Sequence, residues 1–376
     1  MAAQPRIAIV HHWLVSPGGG ERVLYELHKM YPQAPIYVAA YIPEKFPEFA
    51  DADVRPTWIN KIPWLRYKHQ LFPIFLGTPF KSLDMSEYDI VISSCAAEAK
   101  YVRTGPKTLH ICYCHTPVRY YWSDFEWYMS DPSRMPFGLF NPVAKVALRV
   151  LIGVLRRIDY TAAQGVDVFV ANSRHIQARI QKYYHKESVV IYPPIETVEL
   201  GKVPRGAGDY YLIVGRQVAS KRLDVAVDAF NELGLTLKVA GAGAQIELQR
   251  SRAKANIEFL GRVSDDERDR LFAGAKALIF PPEEDFGMTP VEAMSAGTPV
   301  IAYNKGGAPE YVVDGETGVL FDDQTPGSLR TAVKRFEGMA FDAELIKTRA
   351  AAFDTAIFKK KIAELVERSW ADFASR

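Results

Sequence analysis

The segment Glu283-Glu284-Asp285-Phe286-Gly287-Met288-Thr289-Pro290-Val291-Glu292-Ala293 concentrates more chemistry than any other stretch of this 376-residue chain. It follows an apolar run, Ala277 to Phe280, and reads as the opening of a helix. Gly287 and the N–H groups around Met288 and Thr289 would seat an anion, because a helix start presents unbonded donors and a partial positive charge. Glu284 precedes that seat and Glu292 lies about two turns further on, so the two should hold different parts of one extended ligand. Carboxylates accept hydroxyl protons well, which suits the OH groups of sugars and ribose. A plainer account takes Glu284 as a favourable helix N-terminal charge and Glu292 as a surface residue.

That account leaves a second motif unexplained. Gly215-Arg216-Gln217-Val218-Ala219-Ser220-Lys221-Arg222 ends the apolar run Tyr211 to Val214. Arg216 can grip phosphate oxygens bidentately, with Lys221 a compact charge one helical turn along. Near the N-terminus, Gly18-Gly19-Gly20 comes between the run Arg6 to Val10 and a helical pattern, Glu21 to Met30. Glycines there let backbone approach a phosphate or sugar; a plain flexible turn is the alternative. The motif is not the Gly-x-Gly-x-x-Gly of a nicotinamide site, and the strand after it ends in Ala39-Ala40-Tyr41 rather than an acidic residue. His11, His12 and His115 each follow an apolar run, where a strand would end. Asp51-Ala52-Asp53 has the form of a metal-binding motif but lies between prolines with no apolar strand before it, so a solvated turn is expected. No other cluster reads as a metal site, and Cys95, Cys112 and Cys114 read as buried thiols in a reducing cytoplasm.

Positioning these residues requires alternating strands and helices. Short apolar runs recur at Arg6 to Val10, Ile36 to Ala39, Asp89 to Ser93, Leu109 to Cys112, Asp167 to Ala171 and Val189 to Tyr192. They restart at Tyr211 to Val214, Leu235 to Ala240, Ile257 to Leu260, Ala277 to Phe280 and Val300 to Ala302. Helical patterns lie between them, which predicts βα units around parallel sheets. Proline and glycine are dense from Pro193 to Gly208, so the chain should break there. The expected organisation is a first Rossmann-like domain at 1–195, a linker at 196–209, a second such domain at 210–354, and a final helical segment at 355–376 crossing back to the first domain. Two doubly wound domains of this kind bind ligands at strand C-terminal ends facing a central cleft.

Composition narrows the function. Hydrophobic residues make up 48 % and charged residues 24 %, which describes a globular chain and excludes disorder and coiled coil. The net charge of +2 argues against nucleic acid as partner, although residues 1–195 carry +6 and the remainder −4. The N-terminus lacks the long apolar segment of a signal peptide. The most apolar window, Phe137 to Leu155, is interrupted by Lys145 and Arg149 and so should not span a bilayer.

Taken in order, Gly18-Gly19-Gly20, Asn172-Ser173-Arg174, Gly215-Arg216 with Lys221, Glu284 with Glu292, and Ala293 to Val300 resemble the retaining GT-B glycosyltransferases of family four. The segments His11 to Leu14, Cys114 to Tyr120 and Tyr192 to Ile195 are further similar to bacterial surface-polysaccharide mannosyltransferases. The resemblance implies an α/β GT-B fold and a metal-independent transferase without cofactor. It would move a hexose, mannose from GDP-mannose first among the candidates, to a polyprenyl-diphosphate-linked glycan. It places Arg216 and Lys221 on the donor diphosphate, Glu292 on the ribose and Glu284 on the sugar hydroxyls. The Phe286, Gly287, Met288 and Thr289 backbone would hold sugar and phosphate, with Gly19 and Gly20 at the diphosphate. Arg262 and Val263 would read the base, and His115 would meet sugar and acceptor. The family's retaining mechanism lets the departing phosphate oxygen take the acceptor's proton. Alternatives are a UDP-hexose donor, a nucleotide-sugar epimerase of the same fold, and a silent glycan- or nucleotide-binding subunit.

Basic and aromatic residues gather in the first half, at Arg55 to Lys81 and again at Tyr120 to Met129 followed by Lys145, Arg149, Arg156 and Arg157. Such segments suit peripheral contact with an anionic membrane on its cytoplasmic face, or core packing with an acceptor-stacking platform. A C-terminal helix is expected over Phe358 to Phe373.

Overall fold

The computed structural model describes residues 5–62, 66, 77–130, 141–206 and 208–376. Backbone contacts divide the chain into two units, Met1–Tyr192 with Lys359–Arg376, and Pro193–Phe358.

The first unit is built on seven parallel strands, β1 (Ile7–His11), β2 (Ile36–Val38), β3 (Val54–Pro56), β4 (Ile90–Cys95), β5 (Leu109–Cys114), β6 (Val168–Ala171) and β7 (Ser188–Val190), ordered β3-β2-β1-β4-β5-β6-β7. The inner strands open on aliphatic residues and carry His, Ser, Cys and Tyr toward their ends, and they are buried on both faces as a helix-covered parallel sheet requires. Cys95, Cys112 and Cys114 pack in the core with Val10, Val91, Phe169 and Ile176, and all three are buried free thiols.

The second unit repeats the design with six parallel strands, β8 (Tyr211–Val214), β9 (Leu237–Ala240), β10 (Ile257–Gly261), β11 (Ala277–Phe280), β12 (Val300–Tyr303) and β13 (Gly318–Phe321), ordered β10-β9-β8-β11-β12-β13. In each sheet the first strand in sequence sits centrally and the chain then winds outward on both sides. The order therefore reverses between β1 and β4 and between β8 and β11. Loops on the two sides of such a reversal diverge, leaving a crevice at the strand C-terminal ends where ligands bind. Chemistry is to be sought beyond those four strands.

Several expectations need adjustment. The sheets include β3 and β13, which the apolar-run reading passed over. Both are edge strands of three or four residues, and Pro56 in β3 is tolerated because an edge strand has one unpaired side. The stretch 196–209 is not a bare linker: it holds the helix Thr197–Gly201, and Arg205 Nη1 donates to Ala273 O at 2.7 Å and Thr298 Oγ1 at 2.7 Å. The terminal helix runs Thr355–Ala374. Of the first aromatic and basic stretch, Trp64, Tyr67, Lys68, Phe72 and Phe75 lie outside the described residues.

Candidate functional site

In the second unit the loop after β8 is held by close backbone packing. Gly215 N donates to Ala240 O at 3.1 Å and Gln217 N to Ala242 O at 3.0 Å. A Cβ on Gly241 would stand 1.9 Å from Gly215 O, and one on Gly243 would stand 2.2 Å from Gln217 O, so both positions exclude any side chain. The buried Gln217 amide then donates to Gly215 O at 2.9 Å, bracing the turn from beneath. This support leaves the Arg216 side chain exposed and aims the short helical turn Ala219–Lys221 at the neighbouring loop.

The loop after β11 meets it there. Lys221 Nζ forms an ion pair with Glu284 Oε1, so two groups assigned from sequence to different parts of a ligand hold each other in this state. Arg222, in the left-handed region with φ 54°, bonds Asp224 and Gln324 Oε1, and Gln324 Nε2 donates to Pro281 O at 2.8 Å. A polar chain thus ties the β8 loop to the β11 loop. Left-handed geometry in a non-glycine residue costs on the order of 1–3 kcal/mol and persists where surroundings hold it.

Phe286 anchors the β11 loop by packing on Tyr311 and Phe353, with ring centroids 5.4 and 5.6 Å away. Gly287 follows with φ 87°, where a Cβ would lie 2.8 Å from Tyr311 Oη; it offers no capping side chain to the helix Met288–Ser295. The first-turn amides around half-buried Met288 and Thr289 are the groups expected from sequence to seat an anion. Beneath the loop, Gly307 N donates to Glu284 O at 2.9 Å. A Cβ on Gly306 would stand 2.2 Å from Glu284 O, and one on Gly307 would stand 2.4 Å from Phe286 O. Sequence reasoning missed Gly306, Gly307, Gly241 and Gly243, although two Gly-rich turns just after strands were the available signal.

Glu292 is not a surface residue: it is 4 % exposed and lies one turn inside its helix. Its electrostatic neighbour is Arg268. Burial works against that guanidinium's charge, but Glu292, Asp269 and Asp265 outweigh it and raise its pKa. Arg262 follows β10 with its side chain exposed, and Val263 is half-buried.

In the first unit, β1 ends at His11, and His12 and then the helix Gly19–Met30 follow, with Gly18 at the cap position. Gly19 and Gly20 open the helix, and Gly20 faces the rings of His115, His12 and His11, each 3.5 to 3.7 Å from where its Cβ would be. Ser94 Oγ, on β4, joins His11 Nδ1 at 3.1 Å to His115 Nε2 at 2.8 Å. Asn172 Nδ2 donates to His115 O at 3.0 Å, and Ser173 caps the helix Arg174–Tyr184 through Ile176 N at 3.1 Å. Burial lowers the His11 pKa to about 3 and pushes His12 well below its usual value, so both are neutral imidazoles near pH 7.

His11 Nε2 and His12 Nε2 lie 3.7 and 4.0 Å from Glu21 Oε1. These three buried residues have the composition to hold a cation, which corrects the expectation that no cluster has metal-ligand character. The spacing His-His-x8-Glu gives no helical or hairpin signature, so only the β1-to-helix turn reveals the group. Asp51 and Asp53, by contrast, are exposed on a turn, and Asp53 pairs with Arg55.

A second buried polar cluster lies deeper in this unit. Asp159 accepts from Lys100 Nζ at 2.6 Å, Tyr101 Oη at 2.8 Å, Trp122 Nε1 at 2.7 Å and Tyr184 Oη at 2.7 Å. Beside it, buried Glu98 accepts from Tyr120 Oη through Oε1, while Oε2 has no hydrogen-bond partner among the described residues.

Two parallel sheets of reversed strand order give the GT-B architecture, and the comparisons agree. Residues 17–199 match the model Glycosyltransferase Family 4, and residues 202–350 match Glycosyl transferases group 1. Over most of its length, in two separate stretches, the chain is therefore similar to glycosyltransferases. It is 30 % identical over 179 residues to the glycosyltransferase MJ1178 of Methanocaldococcus jannaschii, 46 % of this chain and 50 % of that one. To the alpha-1,3/1,6-mannosyltransferase ALG2 of Dictyostelium discoideum it is 31 % identical over 155 residues, 34 % of this chain and 37 % of that one. The chain thus spans half or less of the length of these curated relatives. Among solved structures, Anabaena HepE in complex with UDP has a TM-score of 0.69 at 18 % identity, covering 96 % of this chain and 100 % of that one.

Proposed function

We propose that the protein transfers a hexose, mannose from GDP-mannose, to a glycan on a polyprenyl-diphosphate carrier, with retention and without a metal. The observation that carries this reading is the set Arg216, Lys221, Glu284 and the Met288 helix start, gathered by the β8 and β11 loops where their sheet's order reverses. Breaking the bond from the anomeric carbon to phosphate builds negative charge on the leaving nucleoside diphosphate and positive character on the sugar. Arg216, Lys221 and the helix-start amides stabilise the first. Glu284 accepts from sugar hydroxyls once Lys221 turns to phosphate, and Glu292 accepts from the ribose. Arg262 and Val263 flank the base. The departing phosphate oxygen takes the acceptor's proton, and neutral His11, His12 and His115 supply hydrogen bonds to sugar or acceptor hydroxyls. Resemblance to a mannosyltransferase supports the sugar. HepE was crystallised with UDP, which favours a UDP-hexose as the second reading.

Thermal unfolding with GDP, UDP, ADP and their hexose conjugates tests the donor. A ligand at about 100 times its Kd adds about 2.7 kcal/mol, so GDP and GDP-mannose should raise the midpoint selectively. A shift confined to UDP replaces mannose, and no shift with any nucleotide removes the donor site. Acceptor-dependent nucleotide release should fall about 10²-fold to 10³-fold in Arg216→Ala and in Lys221→Ala; conversion of the sugar nucleotide without acceptor would indicate an epimerase instead.

A further inference from the structure

The turn from β1 into the helix Gly19–Met30 brings three ligand-type side chains to one gap. His11 Nε2 and His12 Nε2 face the same Glu21 Oε1, at 3.7 and 4.0 Å, and the three groups lie within 4.8 Å of one another. Their side chains are 0, 7 and 10 % exposed. Those separations are too long for hydrogen bonds, and His11 Nε2 has no hydrogen-bond partner among the described residues. A first-turn carboxylate suits a helix start on its own account, but that leaves the orphaned, fully buried His11 nitrogen unexplained.

The opposite edges of both rings are held. Ser94 Oγ meets His11 Nδ1 at 3.1 Å, and Ser94 O lies 3.5 Å from His12 Nδ1. A carbonyl only accepts, so His12 carries its proton on Nδ1 and turns a bare lone pair on Nε2 toward the gap. Ser94 Oγ also meets His115 Nε2 at 2.8 Å. With its one proton given there, the hydroxyl accepts from His11 Nδ1, which leaves His11 Nε2 bare as well. One serine thus orients two imidazoles whose free nitrogens converge on a carboxylate oxygen, as outer partners orient metal-ligating histidines. Three acceptors facing one another repel, and a cation between them reverses the sign.

We infer that His11, His12 and Glu21 form a site for a zinc-class divalent cation. Two imidazoles and a carboxylate make a three-ligand zinc site with an open fourth position, whereas magnesium and calcium call for oxygen ligands. Around a tetrahedral ion with bonds of about 2.0–2.1 Å the donor atoms stand about 3.3 Å apart, so side-chain movements of under about 1 Å complete the set. All three ligands and Ser94 belong to the first unit. The transfer proposed above asks the same nitrogens for hydrogen bonds to hydroxyls. The ion-loaded state is a separate use of them, and its test needs no donor, acceptor or turnover.

Zinc titration of the full chain, stripped of metal and set in competition with a chromophoric chelator, tests this. A single equivalent should bind, and excess magnesium should not displace it. Cobalt in its place should give the visible bands of a low-coordinate ion without a thiolate charge-transfer band. Glu21→Gln and His12→Gln each remove a ligand and should weaken binding at least about 100-fold, and Ser94→Ala about 10-fold to 100-fold through the orientation of the rings. A cooperative melt without metal shows each variant folded. Where one fails to fold, X-ray absorption of the zinc-loaded parent decides, two imidazoles and a carboxylate supporting the site and sulfur overturning it. No bound zinc, a thiolate band, displacement by magnesium, or folded variants that bind like the parent overturns the inference.

Discussion

Glu98 shows how one buried carboxyl couples the fold to pH. Burial raises its pKa to about 7, against a smaller opposing effect of the Tyr120 hydrogen bond. In the unfolded chain the group ionises near its ordinary value of 4.5. Between those values the native protein holds the proton that the unfolded chain has lost, so stability falls as pH rises through this window. Glu98→Gln removes the titration, and its melting midpoint should drop less than that of the parent between about pH 5 and about pH 8. Equal drops would mean Glu98 does not titrate there. At this scale the sequence was partly legible. Arg216, Lys221, Glu284 and the glycines stand in short local motifs, so their types and spacing expose them. Lys100 and Asp159 are 59 residues apart and of types usually found in water; only tertiary packing, with three aromatic donors around the carboxylate, makes them a buried pair.

Among elements, the loops that carry the candidate site owe their shape to backbone lying directly on backbone. Gly306 has φ 70°, and its added Cβ would strike Glu284 O. Gly306→Ala therefore combines left-handed strain with a collision, and should cost at least the 1–3 kcal/mol typical of strained positions while weakening the nucleotide-dependent shift. Gly215 has φ 139° with open space where its Cβ would go, so Gly215→Ala carries strain alone. Denaturant midpoints of the two variants check the difference, and equal losses would sink the packing argument. Inner strands were readable because burial on both faces makes them continuous apolar runs. β3 was not, since its Arg55 and Pro56 are exposed at the sheet edge and leave no apolar run, whereas β13, Gly318–Phe321, is a short apolar and mostly buried run that the reading could have found. The ion pair between Lys221 and Glu284 was also out of reach, as it depends on two loops from adjacent strands.

For the molecule as a whole, the two units meet in sequence between Tyr192 and Pro193, ahead of a stretch dense in proline and glycine, residues that interrupt regular structure. From Lys359 onward the terminal helix belongs with the first unit, where Lys359 Nζ pairs with Glu26 Oε2 at 2.7 Å and Ile362, Leu365 and Val366 are buried. Leu365→Ala should cost about 2–5 kcal/mol, as large-to-small core changes do, and should weaken the first unit rather than the second.

All three cysteines lie in the first unit's core, and burial pushes the Cys95 and Cys112 thiols upward, away from the reactive thiolate. The thiols therefore act as an internal clock. A disulfide reagent can modify them only when that half of the chain opens, so colour release over time measures the opening of one unit while the cysteine-free unit stays silent. Leu365→Ala should make the clock run faster, whereas Gly306→Ala should leave its pace unchanged.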